Sequence, residues 1–138
     1  MKFRTDFVTN SSSSSFVIAY KPTVFDEDTL EKYPFLKDYG KDIETLLCTT
    51  DYLDTKEAEE LMTEEEIQER FSYLLNTDFY YDDKIEANKK MIDSILEYFK
   101  NEYKIYTKDI SSHNDTLINM IYSIEKKNNN FKIIMEED

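Results

Sequence analysis

The sequence is poor in the residues on which many kinds of active site depend. Its 138 residues include one glycine, one cysteine, one histidine, two prolines and no tryptophan. A single glycine excludes glycine-rich phosphate loops of the GxGxxG and Walker types. One cysteine and one histidine exclude an intrachain disulfide and a zinc site built from the His and Cys of this chain alone. We therefore expect no metal site and no cofactor.

Long apolar runs are also missing. No stretch approaches the roughly 20 apolar residues that span a membrane. The basic start MKFRTD is not followed by the apolar core of a signal peptide. These absences predict a cytoplasmic protein, and a single cysteine is compatible with a reducing compartment.

Positive charge is scarce relative to negative charge. The chain has 17 basic and 30 acidic residues, which gives a formal net charge of −13. Nucleic-acid-binding proteins normally present a basic surface, and anionic membranes repel an acidic one, so we expect neither direct nucleic-acid binding nor membrane binding. The acidity is concentrated in residues 26–102, which carry 23 acidic and nine basic side chains.

The apolar content is sufficient for one folded domain spanning residues 1–138. Hydrophobic residues make up 40% of the chain, with nine Phe and 11 Tyr. The apolar run Phe16–Tyr20, the alternating stretch Tyr103–Thr107 and the run Phe131–Met135 predict strands. A further strand is expected over Phe3–Val8.

The acidic middle segment predicts helices. Asp26–Lys32 is expected to be a short helix that Pro34 ends, and Thr55–Met62 a second one, while Asp42–Leu47 fits either a helix or a strand. Thr63-Glu64-Glu65-Glu66 is a capping box.

Two amphipathic patterns follow that box. Ile67, Phe71, Leu74 and Leu75 form a stripe with helical spacing. The longest helix is expected over Asp82–Asn101.

The C-terminal part, residues 103–138, predicts a strand, a helix over Asp115–Lys126 and a last strand, which is the order of a βαβ unit. Residues 1–25 predict a strand, a Ser-rich loop and a strand. We therefore predict an α+β fold. A small sheet is formed by the chain ends, including the C-terminal βαβ unit, and packs with the acidic helices of residues 26–102.

The stretch FVTNSSSSSFV at residues 7–17 is the most unusual local feature. Ser and Asn favour turns, so we expect an exposed turn here; the functional alternative is a loop of small donors that binds an anion or accepts a modification. The stretch, placed directly after MKFRTD, resembles an N-terminal signature of small uncharacterised proteins from low-GC Gram-positive bacteria and their phages. The resemblance covers about 17 residues and implies a bacterial or phage setting. The loop candidates are Ser11, Ser12, Ser13 and Ser14.

Residues 51–69 hold nine acidic side chains against Lys56 alone. They form either a solvated helix face or a surface that mimics the phosphates of a nucleic acid. Like charges three or four residues apart repel each other, and solubility needs fewer of them. The candidate binding residues are Asp51, Asp54, Glu57, Glu60, Glu64, Glu65 and Glu69.

These observations lead to one main hypothesis and two alternatives. The main hypothesis is a non-enzymatic interaction protein, borne by a phage or a mobile element, that binds a basic nucleic-acid-handling bacterial protein through its acidic surface. An anti-CRISPR or another anti-defence inhibitor is its most specific version. The first alternative is a small enzyme or nucleotide-binding domain whose site lies at Ser111–Asp115, with His113 as the base. The second is a bacterial domain whose acidity serves only solubility.

Overall fold

The computed structural model describes residues 3–5, 13–22, 25–39, 43–47, 58–111 and 115–137. In these ranges the strands are β1 (Phe3–Thr5), β2 (Ser13–Tyr20), β3 (Glu59–Leu61), β4 (Lys104–Ser111) and β5 (Phe131–Glu137). The helices are α1 (Glu27–Lys32), α2 (Ile43–Leu47), α3 (Glu64–Phe71), α4 (Asp82–Lys100) and α5 (Asp115–Lys127). Pro34–Tyr39 and Ser72–Leu75 form 3₁₀ helices.

One sheet contains all of the described strands, in the order β1-β5-β2-β4-β3. β2 is central and pairs antiparallel with both β4 and β5, so strands from the two chain ends meet as predicted. β1 runs parallel to β5 at one edge, and β3 runs antiparallel to β4 at the other. The predicted strand–helix–strand unit is β4-α5-β5. β2 lies between its two strands, which makes it a split βαβ arrangement.

Helices cover the sheet on both faces. On β2, Phe16, Ile18 and Tyr20 are buried in a core with α1, α2 and α5, which we call the α5-side core. Val17 and Ala19 are buried on the opposite face with α3 and α4, in the α4-side core. Strands that are covered on both faces have continuous apolar sequences. This explains why the run Phe16–Tyr20 shows no alternation, and the α+β prediction is confirmed.

β5 lacks alternation for a second reason. Val17 pairs with Met135 and Ile18 pairs with Ile133, which leaves Ile134 as an extra residue at a β-bulge. The bulge turns Ile134 and Met135 into the α4-side core while Ile133 stays in the α5-side core.

The helix expected over Thr55–Met62 is wrong. Residues 55–57 lie outside the described residues, and Glu59–Leu61 is the edge strand β3, paired with β4. Leu61 lies opposite Ile105 and is buried with it in the α4-side core. The local residues favour a helix, but pairing with a distant strand decides the conformation.

The predicted Ser-rich turn does not include Ser13 and Ser14. Ser11 and Ser12 lie outside the described residues, but Ser13 and Ser14 belong to β2 and pair with Ser111 and Ile110. Ser14 is only 7% exposed. Ser13 and Ser14 are therefore not loop residues, because the ladder between β2 and β4 continues through them.

Leu75 was expected in the buried stripe of α3, but it is exposed, whereas Ile67, Phe71 and Leu74 are buried. The chain tightens into the 3₁₀ helix Ser72–Leu75 directly after α3. With three residues per turn, the buried position after Phe71 is Leu74, so Leu75 faces the solvent.

Candidate functional site

Among the described residues, the acidic side chains singled out from the sequence are divided between two elements. Asp51, Asp54 and Glu57 lie outside the described residues. Glu60 lies on β3, whereas Glu64, Glu65 and Glu69 lie on α3. The single helix face that the sequence suggested is therefore divided between a strand and a helix.

Glu60 faces away from α3. It is paired in the sheet with Tyr106, whose side chain is buried in the α5-side core, and its carboxylate lies 3.5 Å from the Tyr106 hydroxyl. On the same side, Glu44 accepts hydrogen bonds from Lys104 Nζ at 2.8 Å and from the Tyr106 hydroxyl at 2.5 Å. These two donors lower the pKa of the Glu44 carboxyl, the Lys104 ammonium being the larger cause. Glu60 thus borders a half-buried polar cluster.

The predicted capping box is present at the start of α3. Thr63 Oγ1 accepts a hydrogen bond from the Glu66 amide at 3.1 Å. The Glu66 carboxylate reaches back to the Met62 amide at 2.9 Å, one residue earlier than in the standard box. Glu66 therefore serves the fold of α3 directly.

Three other carboxylates of α3 make no such capping hydrogen bond. We call these residues, Glu64, Glu65 and Glu69, the α3 acidic surface. Glu65 and Glu69 are exposed and Glu64 is half-buried. Within the part of the chain that the structure describes, none of the three forms an ion pair. Glu64 and Glu65 lie in the first turn of the helix, where its dipole favours negative charge. The dipole thus stabilises both carboxylates.

Arg70 connects α3 to the sheet edge. Its guanidinium lies 3.1 Å from the Glu59 carboxylate of β3, and its second nitrogen lies 3.5 Å from Thr107 Oγ1. A shallow groove of about 400 Å³ runs between the two elements, lined by Glu59, Leu61, Glu66, Glu69 and Arg70. The groove beside the α3 acidic surface therefore also carries negative charge, because Arg70 is already paired with Glu59.

Exposed apolar side chains are concentrated in the same segment of the chain as these acids. In the described part of the chain, every large hydrophobic side chain that is exposed lies between residues 62 and 81. Scattered exposed hydrophobics are ordinary, but a concentration in one segment is typical of an interaction surface. These residues are Met62, Tyr73, Leu75, Phe79 and Tyr81.

Phe79 and Tyr81 belong to residues 76–81, which we call the aromatic turn. Asn76 organises it: its carbonyl accepts from the amides of Phe79 and Tyr80, and its side chain accepts from the Asp78 amide at 2.9 Å. The turn leads into α4, with Tyr81 at the N-cap and Asp82 and Asp83 in the first turn. Nothing in the sequence pattern predicted that Phe79 is exposed.

The remaining candidates do not assemble into a site. His113 lies outside the described residues, between Ser111 at the end of β4 and Asp115 at the start of α5. The hydroxyl of Ser15 donates to Asp109 at 2.6 Å within the β2–β4 pair. Among the described residues, no three His, Cys, Asp or Glu side chains come together in a way that could hold a metal ion.

A cavity of about 590 Å³ lies where β2 ends and β4 begins, and nothing in the sequence pointed to it. It is lined by Lys21, Ser94, Glu97, Tyr98, Asn101 and Tyr103. Lys21 Nζ lies 4.5 Å from the centre of the Tyr103 ring, and the Tyr103 hydroxyl donates to the carbonyl of Asn129. Burial raises the pKa of the Tyr98 hydroxyl. The Lys21 ammonium and the Tyr103 ring thus form a cation–π contact within the fold.

Comparison of the chain with protein-family models, with curated proteins and with solved structures finds no match. Among the described helices, none combines the length and the apolar character that crossing a membrane requires.

Proposed function

We propose that this protein is a non-enzymatic interaction protein that binds a basic, nucleic-acid-handling bacterial protein through the α3 acidic surface. The observation that carries the proposal is the pairing of two features on one segment. Glu64, Glu65 and Glu69 have no cationic partner among the described residues, and the exposed large hydrophobic side chains of those residues all lie in the same segment of the chain, residues 62–81.

The physical reason is electrostatic. Neighbouring carboxylates on one helix repel each other by a few tenths of a kcal/mol per pair. A partner with a basic groove removes this repulsion and is attracted over a long range, which raises the association rate. The basic groove of a nucleic-acid-handling protein suits a surface that presents several negative charges, as phosphates do.

An anti-defence inhibitor, such as an anti-CRISPR protein of a phage or a mobile element, is the most specific form of this proposal. A net charge of −13 and the resemblance of the N-terminal stretch to small proteins of Gram-positive bacteria and their phages support it. In this form the protein competes with nucleic acid for the groove. A cytoplasmic location belongs to the same proposal, because the target acts there.

Capture from a bacterial lysate tests the proposal. The immobilised wild-type protein, a Glu64→Gln, Glu65→Gln, Glu69→Gln variant and a control are each incubated with lysate of a low-GC Gram-positive bacterium, and the bound proteins are identified by mass spectrometry. The control carries Glu31→Gln, Glu86→Gln and Asp93→Asn, which removes the same charge from three exposed positions elsewhere.

We expect the wild type and the control to retain a basic nucleic-acid-binding protein that the α3 variant does not retain. Added nucleic acid should then release that protein. Equal retention by all three chains, or retention of a protein that nucleic acid does not displace, would contradict the proposal.

The alternative site at Ser111–Asp115 stays a prediction, because no contact of the described residues favours it.

A further inference from the structure

Two aromatic side chains of the aromatic turn are almost fully exposed. Phe79 is 79% exposed and Tyr81 is 87% exposed. Burying a Phe side chain is strongly favourable, so the fold leaves a substantial stabilisation unused at Phe79. Two such rings two residues apart form a ready contact surface for another molecule.

The turn that carries the rings is held in place from within. Asn76 closes it through three hydrogen bonds to Asp78, Phe79 and Tyr80. Beneath it, Asn88 of α4 is 3% exposed, and its side-chain amide donates to the carbonyl of Leu74 at 2.8 Å. Because the backbone is already fixed, little conformational entropy is lost when the rings are covered.

The charges around the rings select the occupant. Asp78, Asp82 and Asp83 are exposed and flank Phe79 and Tyr81 in sequence. A second copy of this chain would bring like carboxylates together, and a purely apolar surface would leave them without water or a partner. A cationic occupant avoids both costs.

Among cations, arginine fits this surface best. Its planar guanidinium stacks on an aromatic face and donates paired hydrogen bonds to a carboxylate, whereas the lysine ammonium is a strongly hydrated point charge. Exposed rings and nearby carboxylates satisfy both properties of the guanidinium at once.

We propose that the aromatic turn is an arginine-binding contact, in which Phe79 and Tyr81 stack on arginine side chains of a basic partner protein and Asp78, Asp82 and Asp83 accept their hydrogen bonds. The inference rests on the proposed function and divides its interface into two parts. The α3 acidic surface attracts any cationic chain, and the aromatic turn distinguishes arginine from lysine.

Two defined probes test this division. Fluorescently labelled nona-arginine and nona-lysine peptides are titrated with the protein, and the ratio of their Kd values measures arginine preference. We expect the wild type to bind nona-arginine about 2–5-fold more tightly, which is the range that one exposed cation–π contact gives. The Phe79→Ala, Tyr81→Ala variant should bring the ratio close to one.

Three controls make the result specific. Phe79→Leu, Tyr81→Leu keeps apolar area without aromatic faces, and it should lose the preference as the alanine variant does. Asn119→Ala changes an exposed position of α5 outside both surfaces and should keep it. Circular dichroism should show unchanged folding, since the replaced side chains are exposed.

The outcomes separate the two proposals. The arginine contact is overturned if the Phe79→Ala, Tyr81→Ala variant still prefers nona-arginine to nona-lysine. It is also overturned if the leucine variant keeps that preference. If the Glu64→Gln, Glu65→Gln, Glu69→Gln variant binds both peptides as tightly as the wild type, the proposed role of the α3 acidic surface fails instead. A dimer that sedimentation detects in the wild type, and that Phe79→Ala, Tyr81→Ala dissociates, assigns the turn to a second copy and also overturns the inference.

Discussion

The side-chain amide of Asn88 donates a 2.8 Å hydrogen bond to the main-chain carbonyl of Leu74, and both residues are buried. This bond joins the middle of α4 to the 3₁₀ helix that precedes the aromatic turn. Asn88 can therefore lie on the buried face of α4, because the Leu74 carbonyl accepts a hydrogen bond from its side chain.

Replacing Asn88 with Ala should therefore lower the free energy of unfolding by about 2 kcal/mol. The substitution leaves the Leu74 carbonyl buried without its donor, and such a group costs roughly 1–3 kcal/mol. Urea unfolding followed by circular dichroism measures the change. Asn119→Ala, at an exposed position of α5, is the matched control and should have almost no effect. Equal midpoints for the two variants would show that the bond contributes nothing.

The Glu44 carboxylate gives stability that depends on pH. Its pKa is lowered in the folded protein by Lys104 and then Tyr106, so the ionised form is favoured by folding. The stabilisation is fully present above the unfolded pKa of about 4.3 and is lost as the pH falls through the lower folded value. Glu44→Gln should cost about 1 kcal/mol at pH 7 and much less at pH 3. Urea midpoints of both proteins at the two pH values measure this. A difference that grows on acidification would refute the assignment.

The Ser-rich stretch should not be uniformly tolerant of substitution. Ser14 lies in the β2–β4 ladder and is buried, so Ser14→Gly should lower the free energy of unfolding by about 1 kcal/mol through the greater backbone entropy of the unfolded chain. Ser14→Ala keeps the restricted backbone and separates this effect from the loss of the hydroxyl. Thermal unfolding compares the two variants. If Ser14→Gly has the same melting temperature as the wild type, the stability of the strand does not depend on this position.

Glu60 and Glu65 should differ in their effect on association, although both are single carboxylates of the acidic segment. Glu65 is exposed on α3, whereas Glu60 borders the Tyr106 cluster on the other face of the sheet. Glu65→Gln should slow association with nona-lysine at 0.1 M salt, where the Debye length is about 10 Å, and Glu60→Gln should change it less. At 1 M salt the difference should vanish. Stopped-flow mixing measures both rates, and a larger effect of Glu60→Gln would contradict the division of the acidic residues.

Some features of this fold are determined by short stretches of sequence and could be predicted. Phe16–Tyr20 is apolar at every position, so a buried strand was the natural interpretation, and the Thr63 cap is specified by four consecutive residues. β3 could not be found in this way. Glu59-Glu60-Leu61 has ordinary helical propensity, and only its pairing with β4, more than 40 residues later, makes it a strand.

The candidate site was predictable in composition but not in geometry. Counting charges located the acidic residues, yet the alternation of β3 sends Glu60 to one face of the sheet and Glu59 and Leu61 to the other. The exposure of Phe79 follows from the tight turn around Asn76, and a tight turn leaves no periodic signal in the sequence.

The central place of β2 has a consequence for how the chain is made. Ser15 of β2 bonds to Asp109 of β4, 94 positions later in the chain, and β5 follows later still. During synthesis β2 leaves the ribosome well before either of its neighbours in the sheet, β4 and β5, has been made. Until they arrive, its two unpaired edges are open to other chains, so chaperone protection of the nascent protein matters most while the acidic helices are being translated.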